Sequence, residues 1–239
     1  IAAADLLVFN LRQNPCDIGP IRPLVEQSPL LASMKDRARG GHVVDGSRNL
    51  VLMAGAAPLT GYRTLDLPIM SELMAAARGP VVGPPEVVGT VAEAMRGAGV
   101  GLRVLDPFET GLARRNPPRL AGWTAGEIVN DPTMAGWVYG NDWARLNAPG
   151  SADFLLLAPN EPPSDAWFIP GPARNPSAVD GAAATIAALR SARPLKTRSD
   201  RPEELTVEIP DGEPGLILVT RPALPGWTAR WDSGEPVAI

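Results

Sequence analysis

Apolar positions along the chain fall into short runs broken by proline and glycine, and their spacing separates into two periods. The run at 5–12, "DLLVFNLR", closed by Asn14-Pro15, predicts a strand. A helix is predicted over 25–37, where Leu30, Leu31 and Met34 share a face. "HVVD" at 42–45 and "NLVLMAG" at 49–55 predict short strands hinged at Gly46. Pro68 suits a first helical position, and Ile69, Met70, Leu73, Ala76 and Ala77 make one apolar stripe until Gly79-Pro80 stops it. A second helix, 86–97, is expected to bury Val87, Val91, Ala94 and Met95. Further strands are predicted at "GLRVLDP" (101–107), "GEIVND" (126–131), "ADFLLLAP" (152–159) and "AWFIPG" (166–171), with a proline-broken loop over 116–123. An Ala-rich helix over 179–190 presents Val179, Ala183, Ile186 and Leu189 on one side. The tail reads as β: "ELTVEIP" (204–210) alternates with period two, Asp211-Gly212 marks a turn, and "GLILVTR" (215–221) has the unbroken apolar character of a central strand. Strands outnumber helices without alternating with them, and no repeat of fixed period is present. The pattern predicts an α+β fold on a mainly antiparallel sheet or sandwich, with about four short helices. It is expected to form one domain over 1–239, or alternatively a mixed α/β part, 1–150, followed by a mainly β part, 151–239.

Composition sharpens this picture in two places. With 24 glycines and 27 prolines in 239 residues, the chain stops just short of low complexity, which predicts a folded but loop-rich protein. A net charge of -4 leaves no broad basic face, so no nucleic-acid partner is expected. The lone Cys16 excludes an internal disulfide and fits an envelope protein as well as a cytosolic one. No run of eighteen apolar residues is present. The chain begins at Ile1 and stops at "EPVAI", which reads as the middle of a strand, so both ends are expected to continue into something longer.

Each motif has a plain structural reading beside a chemical one. In "GAGVG" (97–101) the glycines follow a helix and precede a strand, the reverse of a dinucleotide site, and read as a helix C-cap. His42 is the only histidine, which removes most hydrolytic triads and most zinc sites; neither a metal nor another cofactor is expected. Asp45-Gly46, Asp106-Pro107 and Asp131-Pro132 read as turns, although a hydrolase would need two such carboxylates in one cleft. "ARRNPPR" places Arg114, Arg115 and Arg119 in one mobile loop, either simply solvated or in contact with phosphates or lipid headgroups. Trp123, Trp137, Tyr139 and Trp143 lie within one glycine-rich span, and flat rings either stack on sugar faces or plug loops onto a sheet.

The most specific stretch is "RPALPGWTARWDSG" (221–234), in which an apolar strand ends, the chain turns at Pro225-Gly226, and Trp227, Ala229 and Trp231 share one face of a second strand. It resembles the "PGWxAxvDG" signature of the extracytoplasmic C-terminal region of YfhO-like bacterial membrane proteins, which look like multi-spanning transferases of the GT-C glycosyltransferase type. "ADLLVFNLRQNP", "VVDGSRNLVLMAGAAPLTGYRTLDLP", "AWFIPG", the helix before "ARPL" and "GLILVTRPALPGW" follow the family's order. Asp165, Arg221 and Ser233 depart from its pattern. The resemblance implies a domain on the extracytoplasmic side of the cell membrane, anchored through flanking helices outside this chain. It further implies that the domain is non-catalytic and positions a glycan or a polyprenyl-phosphate sugar. Trp137, Tyr139 and Trp143 are then the expected sugar platforms, and Arg114 and Arg115 the expected phosphate or headgroup contacts. Two readings of other classes stand beside it. One is a structural or assembly module without a ligand, which burial of all six tryptophans would favour. The other is a carbohydrate-active hydrolase, which needs two acids about 5 to 9.5 Å apart.

Overall fold

Prolines that read as chain breakers in the sequence turn out to start helices. Helices α1 (Pro29–Arg37), α2 (Pro85–Gly97), α3 (Pro107–Arg115) and α4 (Pro132–Tyr139) each begin on one. Proline lacks an N–H that a first turn leaves unpaired anyway, and its fixed φ already suits the helix. The protein is seen as a computed structural model that describes residues 26–38, 41–45, 73, 75–139, 152–171, 181–201, 204–209, 212–220 and 228–237. The predicted strands at 5–12 and 49–55, most of the helix after Pro68, and the Pro225-Gly226-Trp227 bend lie outside the described residues.

The fold is α+β. Its larger sheet holds β1 (His42–Asp45), β2 (Val100–Leu105), β3 (Trp123–Asn130) and β4 (Asp153–Pro159) in the order β1-β2-β4-β3. β1 runs parallel to β2, while β4 is antiparallel to both β2 and β3. All six residues of β2 are buried, as are the first five of β4, which is why both strands are mostly apolar rather than alternating, with Arg103 and Asp153 as their buried charges. Among the described residues β3 is paired on one side only, and it is mostly exposed. The sheet draws strands from both sides of residue 150, because β4 pairs on both its edges.

A second sheet follows, with order β6-β5-β9: β5 (Ala166–Pro170) lies between β6 (Arg193–Pro194) and β9 (Gly215–Val219). Two small hairpins complete the described strands, β7 (Thr197–Arg201) with β8 (Glu204–Val207) and β10 (Ala229–Arg230) with β11 (Pro236–Val237). Helix α5 (Gly181–Leu189) joins the two sheets. Its Ile186 enters the main core beside Val91, Met95 and Leu105, and its Leu189 packs with Trp167 of β5. α5 reaches α2 closely enough that a Cβ on Gly97 would come 2.1 Å from Leu189 Cδ1.

Several expectations need correction. Residues 107–115 form a helix that the sequence reading omitted, because Asp106 caps it. The Asp106 side chain accepts from the Glu109 N–H while Glu109 reaches back to the Asp106 N–H. Arg114 and Arg115 therefore sit in the last turn of α3 rather than in a mobile loop, and only Arg119 lies in the loop beyond. In α2 the buried stripe includes Val88, whereas Val87 is 38% exposed. Val87 shares the azimuth of Ala94 but sits two turns nearer the N-terminus, past the neighbours that cover Ala94. Among the described residues β9 lies at the edge of its sheet, and its residues are partly exposed, unlike the fully buried central strand expected. Other readings hold: Leu30, Leu31 and Met34 are buried on one face of α1, and "GAGVG" does close a helix, with Gly99 at φ 64°.

Candidate functional site

Where α2, the start of β3, the β4–β5 connection and β5–β6 meet, they enclose a cavity of ≈ 400 Å³. That size falls at the lower end of the about 300–1,000 Å³ typical of small-molecule sites. Local chemistry explains how each wall is held. Gly122 adopts φ 77° and turns the chain into β3, and its carbonyl accepts from Asn160 N–H at 2.8 Å. The turn sets Trp123 opposite Pro159 at the start of the ladder. Pro159, Pro162 and Pro163 stiffen the connection to β5, because each locks its own φ. Trp167 follows on β5, buried to 4% exposure between Leu189 and Ala192.

One wall carries most of the polar groups. Glu93 and Arg96 stand three residues apart on α2, so they share a face. The Arg96 guanidinium lies over the Trp167 ring, 4.6 Å from its centroid, and its Nη2 donates to the Ala192 carbonyl. Its Nη1 faces Glu93 Oε2 at 3.6 Å, close enough for ionic attraction but too far for a hydrogen bond. Glu93 Oε2, Arg96 Nε and Trp167 Nε1 are all buried and have no hydrogen-bond partner among the described residues. Each such group left unmet costs about 1–3 kcal/mol, and native structures contain few of them. On the far side Arg193 pairs with Glu213 and lies over Phe168, 4.9 Å from the ring centroid. The charges lining the cavity balance, with Arg96 and Arg193 against Glu93 and Glu161.

Elsewhere buried polar groups answer one another. Asp131, 1% exposed, accepts from Ser28 Oγ at 2.6 Å, from Leu30 N–H at 3.3 Å and from Met134 N–H at 3.0 Å, so one carboxylate serves the first turns of α1 and α4. Arg103, also 1% exposed, donates to the Ala77 carbonyl at 3.1 Å and pairs with Glu109 at 3.0 Å. Burial pushes the Glu109 carboxyl above its usual 4.5 despite the Arg103 charge. For Asp153 burial pulls upward, but hydrogen bonds from Asn130 and Arg114, with the Arg114 charge, outweigh it and hold the carboxyl below 3.8.

Of the expected site residues, only Arg114 and Arg115 have described side chains. Arg114 is tied to Asp153 of β4 at 2.6 Å, and Arg115 is exposed beside it. Positions 137 and 139 fall on α4, two apart, a spacing that does not share a helix face. The side chains of Trp137 and Tyr139, and all of Trp143, lie outside the described residues. Trp123, whose side chain is described, lines the cavity. Glu93, Arg96 and Trp167 were missed. The i, i+3 pair on α2 was legible, but its meeting with a strand some seventy residues on was not. Of the tryptophans, Trp167 is buried, whereas Trp231 is 48% exposed, so the tryptophans are not all core. No helix among the described residues is long and apolar enough to cross a membrane. Compared with known proteins, the chain matches no family model, no curated protein and no solved structure.

Proposed function

We propose that this chain is a non-catalytic extracytoplasmic domain of a polytopic bacterial membrane protein resembling the YfhO-type glycosyltransferases, and that it positions a glycan or lipid-linked sugar. The observation that carries the reading is the cavity: the partly exposed Trp123 ring lines it together with a carboxylate, a guanidinium and the buried Trp167 indole, which have unmet hydrogen-bonding atoms. Apolar ring faces with a few convergent polar groups are what a sugar presents a need for, since its C–H face stacks and its rim of hydroxyls bonds. The order of motifs from "ADLLVFNLRQNP" to "PGW" supports the membrane context. In that setting the domain holds the acceptor or donor sugar, while bond making belongs to a carboxylate elsewhere in the parent protein.

Saturation-transfer NMR on the whole chain with neutral and acidic mono- and disaccharides tests this. Transfer to sugar ring protons is the expected result. Absence of transfer across both classes overturns the reading and leaves a scaffold role.

A further inference from the structure

The unmet atoms of the cavity narrow the ligand class. Two are donors, Arg96 Nε–H and Trp167 Nε1–H, and one is an acceptor, Glu93 Oε2. A carboxylate or an ionised phosphate monoester supplies acceptors only, so it would answer the two donors but leave Glu93 unmet and repelled, and any phosphate adds negative charge beside Glu93. An ammonium would answer Glu93 and oppose Arg96. A hydroxyl both donates and accepts, so neighbouring hydroxyls answer all three without adding charge to a lining whose charges already balance. The second cation of the lining, Arg193, is engaged by Glu213 and is not available to draw an anion in.

Resting on the glycan-holding reading above, we infer that the corner formed by Glu93, Arg96 and Trp167 binds two adjacent hydroxyls of a neutral sugar ring. Glu93 Oε2 accepts from one hydroxyl, and Arg96 Nε and Trp167 Nε1 donate to the pair. All three atoms are buried, and the Arg96 guanidinium lies on the Trp167 indole. Entry of the ring therefore requires the half-buried Arg96 side chain to swing off Trp167, exchanging the cation–π contact, the bond to the Ala192 carbonyl and the attraction to Glu93 for hydrogen bonds to the sugar. Trp123, across the cavity, supplies an apolar wall for the ring.

The indole N–H of Trp167 reports on this directly. In ¹⁵N-labelled whole chain, its resonance is assigned by its loss in Trp167→Phe, and methyl glycosides of glucose, galactose and mannose are titrated against glucuronate, glucose 1-phosphate and inorganic phosphate. At least one neutral glycoside is expected to shift the Trp167 signal, with affinity about tenfold weaker in Glu93→Gln, the scale of one lost bond to a charged group. The folded state of each variant is checked by the remaining indole signals. A sugar that shifts other resonances but not Trp167, or that binds Glu93→Gln equally well, overturns this site and leaves the glycan reading standing. A response to the anions alone overturns the assignment of a neutral ligand. Silence to every sugar overturns both, leaving a cavity that holds water only.

Discussion

Arg114 and Asp153 show how little a charge in the sequence says about its role. Arg114, the group expected to meet a phosphate, pairs with a carboxylate of β4 that Asn130 also binds, and this pair fastens α3 to the sheet. The consequence is a definite acid sensitivity. Because the Asp153 pKa is lowered in the folded state, its stabilisation is present above the unfolded value and is lost as pH falls through the folded one. Glu109 has the opposite sign: its raised pKa favours the folded state below the unfolded value, an advantage lost as pH rises through the folded one. Urea midpoints measured from about pH 2 to 6 are expected to show a shallower acid limb in Asp153→Asn than in the parent chain. Glu109→Ala leaves the buried Arg103 without its anion and is expected to cost about 3 kcal/mol at neutral pH, the lower end for a broken buried pair. Two glycines make a matched test of packing. A Cβ at Gly101 would stand 2.1 Å from the Ala38 carbonyl oxygen, a backbone atom that cannot step aside, so Gly101→Ala is expected to lose about 1–3 kcal/mol. Gly111 in α3 has open space around it, and Gly111→Ala is expected to gain about 0.5–1 kcal/mol by the same measurement.

At the scale of elements, the helices depend on what precedes their prolines. Ser28, Asp106 and Asp131 stand immediately before Pro29, Pro107 and Pro132, and each accepts from a first-turn N–H. Read one residue at a time, Asp-Pro is a turn; read with Glu109 three residues on, Asp106 is a capping box. α3 and α4 escaped the sequence reading for this reason and for their shortness, at nine and eight residues. The caps are not equal. Asp106→Ala removes one local cap and is expected to cost about 1 kcal/mol. Asp131→Ala frees Ser28 and the first turns of two helices in a buried setting, and its loss in urea denaturation is expected to be clearly the larger. The strands were easier, because β2, apart from Arg103, and β4 after Asp153 are apolar and bounded by turn formers, a pattern that needs no partner to be read.

Across the whole molecule, α5 couples the main core to the wall of the cavity through Ile186 and Leu189. Gly97→Ala would press on Leu189, which is buried against Trp167, and is expected both to destabilise the fold by about 1–3 kcal/mol and to move the Trp167 indole resonance. The signal of the exposed Trp231, which belongs to none of these core clusters, is expected to stay in place. The sequence by itself determined the α+β class, the positions of β1, β2, β4 and β5, the buried faces of α1 and most of α2, and the cap at Gly97–Gly99, since apolar periodicity and backbone preference act between near neighbours. Only the tertiary structure decided that β4 enters between β2 and β3, that Arg114 is anchored, and that Glu93, Arg96 and Trp167 converge. Those outcomes depend on contacts between distant segments, and no local period encodes which segments meet.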